Sequence, residues 1–183
     1  MCIRDRKYAI GPRKELAVRT IFNVLGPLTN PAKAPNQVMG VYDKSLVKPI
    51  ANVLKSLKSR HVMVVHSEDG LDEFSISHKT YIAELKDNNV STYKVEPNDF
   101  GITMGDLNEL RAENAKESLT LILNAFAGRK GAARDVIALN AGAAIYVSGL
   151  SDSLDNGILK AFQVLSDGSA KSKLDAYILA SNL

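Results

Sequence analysis

Four consecutive apolar residues, Val62-Met63-Val64-Val65, stand between two histidines, His61 and His66. A strand exposed on one face alternates apolar with polar side chains, whereas an unbroken apolar run rich in β-branching suits a strand covered on both faces of a parallel sheet. The residues before it complete such a unit: Asn36 to Tyr42 reads as a strand, and Leu46, Ile50, Val53, Leu54 and Leu57 recur at helical spacing. Strand, helix, strand in that order predicts a βαβ unit with a right-handed crossover. The expected class is α/β, with a mostly parallel sheet and flanking helices.

Thr80 to Leu85 and Val90 to Val95 read as two short strands joined across Asp87-Asn88-Asn89, so the sheet is expected to carry an antiparallel portion. Asn114 fits a helix N-cap answered by Glu117, with Leu119, Ile122, Leu123 and Phe126 as the buried stripe. Gly131 to Val147 reads as a small-residue helix whose Ala141-Gly142-Ala143-Ala144 centre implies close packing against a neighbour. Helices over 154–165 and 170–180 follow. Nearer the amino terminus, Lys14 to Leu25 reads as a helix with Phe22 and Leu25 in the core, stopped by Gly26-Pro27.

A chain of 183 residues that is 45% hydrophobic can bury one core, and one domain is expected. The formal charge of +3 is mild, and the basic residues are scattered apart from Arg129-Lys130, which argues against a nucleic-acid partner. The single cysteine, Cys2, rules out an intrachain disulfide and agrees with a reducing, cytoplasmic setting. Val136 to Val147, the longest apolar stretch, is interrupted by Asn140 and falls short of the roughly 20 residues that cross a bilayer. No membrane partner is expected.

The chemistry is sought beyond the carboxyl ends of the strands, where open α/β sheets bind ligands. There the loop after the apolar run presents Asp72 and Glu73 side by side, with Gly70 permitting a sharp turn. Mg²⁺ takes oxygen ligands and is usually held by one or two carboxylates plus substrate phosphates. On residue chemistry alone, a solvated acidic turn, or Asp72 as a helix cap, is the simpler reading. His61, His66 and His78 are not spaced as a metal constellation and read as structural or exposed. No serine or threonine falls in a nucleophile motif.

A second stretch changes the weight of the acidic pair. Arg19-Thr-Ile-Phe-Asn-Val-Leu-Gly-Pro-Leu-Thr-Asn-Pro31 and Asp69-Gly-Leu-Asp-Glu73 together resemble the anthranilate phosphoribosyltransferase family, part of glycosyltransferase family 3. The resemblance continues through Gly40-Val-Tyr-Asp43, Pro97-Asn-Asp-Phe-Gly101, Asn114-Ala115, and Ala133-Arg-Asp-Val136 running into Leu139-Asn-Ala-Gly-Ala-Ala144, over roughly residues 7 to 183. It implies the nucleoside phosphorylase/phosphoribosyltransferase catalytic fold. It also implies transfer of a 5-phosphoribosyl group from phosphoribosyl pyrophosphate (PRPP) to anthranilate, with release of pyrophosphate, in tryptophan biosynthesis.

Residue by residue, the resemblance makes Asp72 and Glu73 ligands of a Mg²⁺ cofactor and makes Arg13, in Ala9-Ile-Gly-Pro-Arg13, a contact for the anthranilate carboxylate. Family members begin with a helical domain and a Gly-Thr-Gly-Gly-Asp turn that cradles pyrophosphate; this sequence contains neither, nor the Lys-His-Gly-Asn or His-Pro-Ala-Met segments. The expected organisation is a carboxyl-terminal fragment: an unrelated leader over residues 1–6 and a partial catalytic domain over 7–183, inactive by itself, with a homodimeric parent. Two alternatives stay open. One is a pyrimidine-nucleoside phosphorylase-like enzyme; the other is a non-catalytic domain on the same scaffold.

Overall fold

The computed structural model describes residues 32–182, together with Gly11, Glu15, Gly26, Leu28 and Thr29. Two units divide the chain, residues 1–34 and 35–183. In the first, Gly11, Glu15, Gly26 and Leu28 have helical backbone. Gly26 was expected to end a helix and is itself helical: glycine costs a helix only about 1 kcal/mol, which local context readily overrides. Phe22, Leu25 and Pro27 lie outside the described residues.

The second unit is built on a four-stranded sheet in the order β1 (Asn36–Gly40), β2 (His61–Ser67), β3 (Thr80–Lys86), β4 (Asn89–Val95). Helix α1 (Val47–Ser56) links β1 to β2, which pair in parallel with Gly40 opposite Val65. The expected βαβ unit is therefore present. Two of the three pairings among the described residues are antiparallel, so the antiparallel portion is larger than expected. The cause lies in the link between β2 and β3, which contains no helix to carry the chain back across the sheet, so β3 returns alongside β2.

Val62, Met63 and Val64 have no exposed surface and Val65 has 1%. Burying each such side chain contributes about 1.5–3 kcal/mol. Met63 and Val65 join Phe74, Ile82, Leu139 and Ile158 in one core cluster. Val62 and Val64 alternate with them and face the layer where α1 packs with Ile50 and Leu54. The hairpin turns through Asp87 and Asn88, both with positive φ (50° and 59°), as a two-residue turn of the kind that matches strand twist.

Four helices complete the unit: α2 (Ala115–Phe126), α3 (Ala132–Val147), α4 (Leu154–Ser166) and α5 (Ser169–Ser181). The expected cap holds: the Asn114 side chain accepts from the Glu117 N–H at 3.0 Å, and its amide donates to the Glu117 carboxylate at 2.8 Å. The expected burial of α2 holds only in part: Leu123 and Phe126 are half-buried, and Phe126 packs against the cluster of Ala138, Ala161 and Leu165. Leu119 is 48% exposed and Ile122 36%, and Ala125 is the buried residue of the helix. Periodicity specifies that a helix has an apolar face; what covers that face is decided elsewhere, and within this unit α2 packs chiefly against α3.

The small-residue centre of α3 behaves as expected. A Cβ on Gly142 would lie 2.6 Å from the Ile158 Cα, and one on Gly157 would lie 2.4 Å from the Gly142 carbonyl oxygen. Backbone therefore meets backbone where α3 crosses α4.

Candidate metal centre

Residues 68–79, between β2 and β3, leave the sheet at the carboxyl end of β2, and their fold is dictated by hydrogen bonds to nearly every part of the loop. The Ser67 N–H donates to the Leu71 carbonyl and the Gly70 N–H to the Ser67 carbonyl, each at 2.9 Å. This reversal puts Gly70 at φ +90°, a conformation that glycine adopts without strain. The Glu68 N–H donates to the Lys79 carbonyl at 2.9 Å, which closes the loop's base.

Asp69 organises the interior. Its carboxylate accepts from the Ser75 hydroxyl, the Ser77 hydroxyl at 2.8 Å and the Leu71 N–H at 3.2 Å. Burial pushes this carboxyl up, but the hydrogen bonds from Ser75, Leu71 and Ser77 outweigh it and hold it below the usual aspartate range. Asp69 is thus committed as a charged acceptor inside the loop.

Asp72 and Glu73 stand in contrast. Both are exposed, and neither carboxylate has a hydrogen-bonded or ion-paired partner among the described residues. Their backbone, however, is held from three sides. The Ser67 hydroxyl donates to the Glu73 carbonyl at 2.8 Å and pairs with the Thr80 hydroxyl at 2.7 Å. From α3, the Asn140 side chain accepts from the Phe74 N–H at 3.0 Å and donates to the Phe74 carbonyl at 3.1 Å. From β1, Gly40 lies so close that a Cβ there would fall 1.6 Å from the Asp72 carbonyl oxygen. Two free carboxylates on a fixed backbone are the result.

This donor set suits a hard cation. It supplies oxygen alone, from two side chains, and leaves the other coordination positions to water or a phosphorylated ligand, as Mg²⁺ prefers. No group of three or more His, Cys, Asp or Glu side chains that could hold a metal forms among the described residues, which argues against an all-protein cage. Arg13, the other expected site residue, lies outside the described residues.

The histidines take other work. The His66 Nδ1 lies 2.8 Å from the Val41 carbonyl, which can only accept, so this nitrogen carries the proton. His61 is half-buried and bonded through Nε2 to the Glu84 carboxylate at 2.8 Å, while His78 is exposed and bonded to Ser77. Residue-type reasoning missed Asn140, Asp69 and Gly40 as supports of the loop. Asn140 carried a signal as the polar interruption of an apolar run, while Asp69 and Gly40 stood in stretches that carry the family resemblance without showing their role.

The chain belongs to the glycosyl transferase family, a/b domain, which it matches over residues 4–171. Among its relatives, the anthranilate phosphoribosyltransferase of Ruthia magnifica is 58% identical over 175 residues, which is 96% of this chain and 52% of that protein. The enzyme of the same name from a Marinomonas strain is 57% identical over 170 residues, 92% of this chain and 49% of its own. Among solved structures, anthranilate phosphoribosyltransferase from Thermus thermophilus superposes with a TM-score of 0.86 at 34% identity, covering 94% of this chain and 51% of that one. The Saccharomyces cerevisiae enzyme, solved in complex with PRPP and Mg, gives 0.81 at 28% identity, covering 93% and 50%. The chain thus spans about half the length of the relatives it matches.

Proposed function

We propose that this chain is part of an anthranilate phosphoribosyltransferase, in which Asp72 and Glu73 hold a Mg²⁺ ion against the pyrophosphate of PRPP. The observation that carries this reading is the unpartnered pair of carboxylates on a clamped backbone at the carboxyl end of β2. In the reaction, the bond from the ribose anomeric carbon to the pyrophosphate oxygen breaks, a bond from that carbon to the anthranilate nitrogen forms, and one N–H proton passes from that nitrogen to the released pyrophosphate or to water. A bound divalent cation supplies neutralisation of the charge that builds on the departing pyrophosphate. Asp72 and Glu73 would hold that cation at the sheet's end, and Arg13 would receive the anthranilate carboxylate through its guanidinium fork.

The relatives' shared name, and the PRPP and Mg of the yeast complex, support this reading over a nucleoside-phosphorylase-like one. A cytoplasmic, homodimeric enzyme fits the same picture, and no helix among the described residues is long and apolar enough to cross a membrane.

The test is PRPP-dependent consumption of anthranilate across a magnesium titration, by the chain alone and by the chain joined to a segment bearing the Gly-Thr-Gly-Gly-Asp turn. Turnover is expected from the joined protein and not from the chain alone, since misplacing reactants by about 1 Å can cost on the order of a hundredfold in rate. Asp72→Asn combined with Glu73→Gln should leave folding intact and remove the magnesium-dependent turnover. Unchanged magnesium dependence in that double variant would overturn the metal role.

A further inference from the structure

We propose that Asn140, on helix α3, is the positioning residue for the Asp72–Glu73 pair: it holds the loop backbone so that the two carboxylates converge on one cation. The inference deepens the metal reading above and rests on it.

Asn140 sits in the stretch of α3 from Val136 to Ile145, whose other side chains are all small or apolar, where it follows the buried Leu139 and precedes the buried Gly142 and Ala143. An asparagine in such a place needs a use for its carboxamide. Three of that group's four hydrogen-bonding positions are used, both donors among them: Oδ1 accepts from the Phe74 N–H, and Nδ2 donates to the Phe74 carbonyl at 3.1 Å and the Val136 carbonyl at 3.0 Å. Exchanging its nitrogen and oxygen would set oxygen against two carbonyls, so the orientation is determined by the partners.

The pairing across 66 residues copies one rung of a strand ladder, with a side chain in place of the second strand. It falls on the residue directly after Glu73. The peptide unit between Glu73 and Phe74 is thereby bonded at both ends, through its oxygen to the Ser67 hydroxyl and through its N–H to Asn140. Phe74 itself is 1% exposed and locked in the core. With the Asp72 carbonyl seated on Gly40, the pair keeps side-chain freedom but little backbone freedom. Binding a cation through two adjacent carboxylates is favoured when their backbone is already ordered, because less conformational entropy is lost on binding. A partner that orients metal ligands typically changes affinity 10–100-fold when removed.

The experiment uses the 183-residue chain, with Mn²⁺ as the spectroscopic stand-in for Mg²⁺, titrated by electron paramagnetic resonance. Hydrogen exchange at the Phe74 amide is followed in parallel. Asn140→Ala is expected to weaken Mn²⁺ binding by about tenfold and to speed exchange at Phe74. Ile158→Val, which loosens the same helix pair without touching the clamp, should leave both unchanged. Loss of Mn²⁺ binding in Asp72→Asn with Glu73→Gln, together with wild-type affinity in Asn140→Ala, would overturn the positioning role while the metal reading stands. Equal weakening in Ile158→Val and Asn140→Ala would also overturn it, by reducing Asn140 to a stabilising residue. No Mn²⁺ binding by the parent chain, or binding that survives the double substitution, would overturn the metal reading and this inference with it.

Discussion

At the opposite end of β2 from the acidic pair, Glu84 is only 8% exposed and still charged. It accepts from the Tyr93 hydroxyl at 2.8 Å and meets the His61 Nε2 at 2.8 Å, while the His61 ring stands edge-on to Tyr146, whose hydroxyl receives the Lys86 ammonium at 3.1 Å. Burial pushes the Glu84 carboxyl up, but the hydrogen bonds from Tyr93 and His61 prevail and hold it below the usual glutamate range. A carboxyl depressed in the folded state contributes stability that is fully present above its unfolded value and is lost as pH falls through the folded one. Thermal unfolding between pH 7 and pH 3 is therefore expected to show an acid-side decline that Glu84→Gln flattens. The same variant should lose about 1–3 kcal/mol at pH 7, because His61 and Tyr93 forfeit a charged acceptor. An unaltered acid limb in Glu84→Gln would assign that decline to other carboxylates.

Two close approaches govern how the elements fit, and both use glycine because no side chain has room. Where α3 crosses α4, Gly142→Ala would force a methyl group into the backbone of Ile158. Overpacking of this kind costs about 1–3 kcal/mol, measurable as a lower midpoint in urea. At the end of β1, Gly40→Ala would drive a methyl group into the Asp72 carbonyl. The expected effect is different in kind: the loop shifts, and cation binding falls by more than global stability does. Equal losses in the two variants would show that the β1 contact serves only packing. The hairpin turn is less sensitive, since Asp87 and Asn88 adopt left-handed backbone more readily than most side chains do.

Across the whole molecule, stability is graded from the middle of the sheet outward. Val62 to Val65 are buried beneath helices on one face and the main core cluster on the other, whereas α5 buries no residue and exposes Tyr177 at 69% and Leu179 at 70%. Regions with few buried apolar contacts open at lower free energy than the global unfolding. Amide exchange should therefore be slowest in β2, following complete unfolding, and fastest in α5 and the solvent-facing side of α2. Protection in α5 equal to that in β2 would mean that something covers this helix in solution.

How much of this was legible beforehand depended on whether the signal was local. The Asn114 cap and the Asp87-Asn88 turn act through neighbours in the chain, and the apolar run at Val62 to Val65 and the small residues around Gly142 are contiguous patterns; each took the form its residue types required, although the partners that cover the last two, Ile158 among them, are distant in sequence. The acidic pair was legible in position for the same reason, because it follows a buried strand directly. Its environment was not. That Asp69 would be spent inside the loop while Asp72 and Glu73 stayed free, that Asn140 would reach Phe74, and that Gly40 would seat the Asp72 carbonyl are outcomes of contacts between segments distant in sequence. The exposure of Leu119 and Ile122 is of the same kind. Local sequence sets the period, the caps and the turns, since these depend on backbone sterics and near neighbours. Which polar groups are consumed, and which remain available to bind, is decided only when distant segments compete for the same hydrogen bonds and the same space.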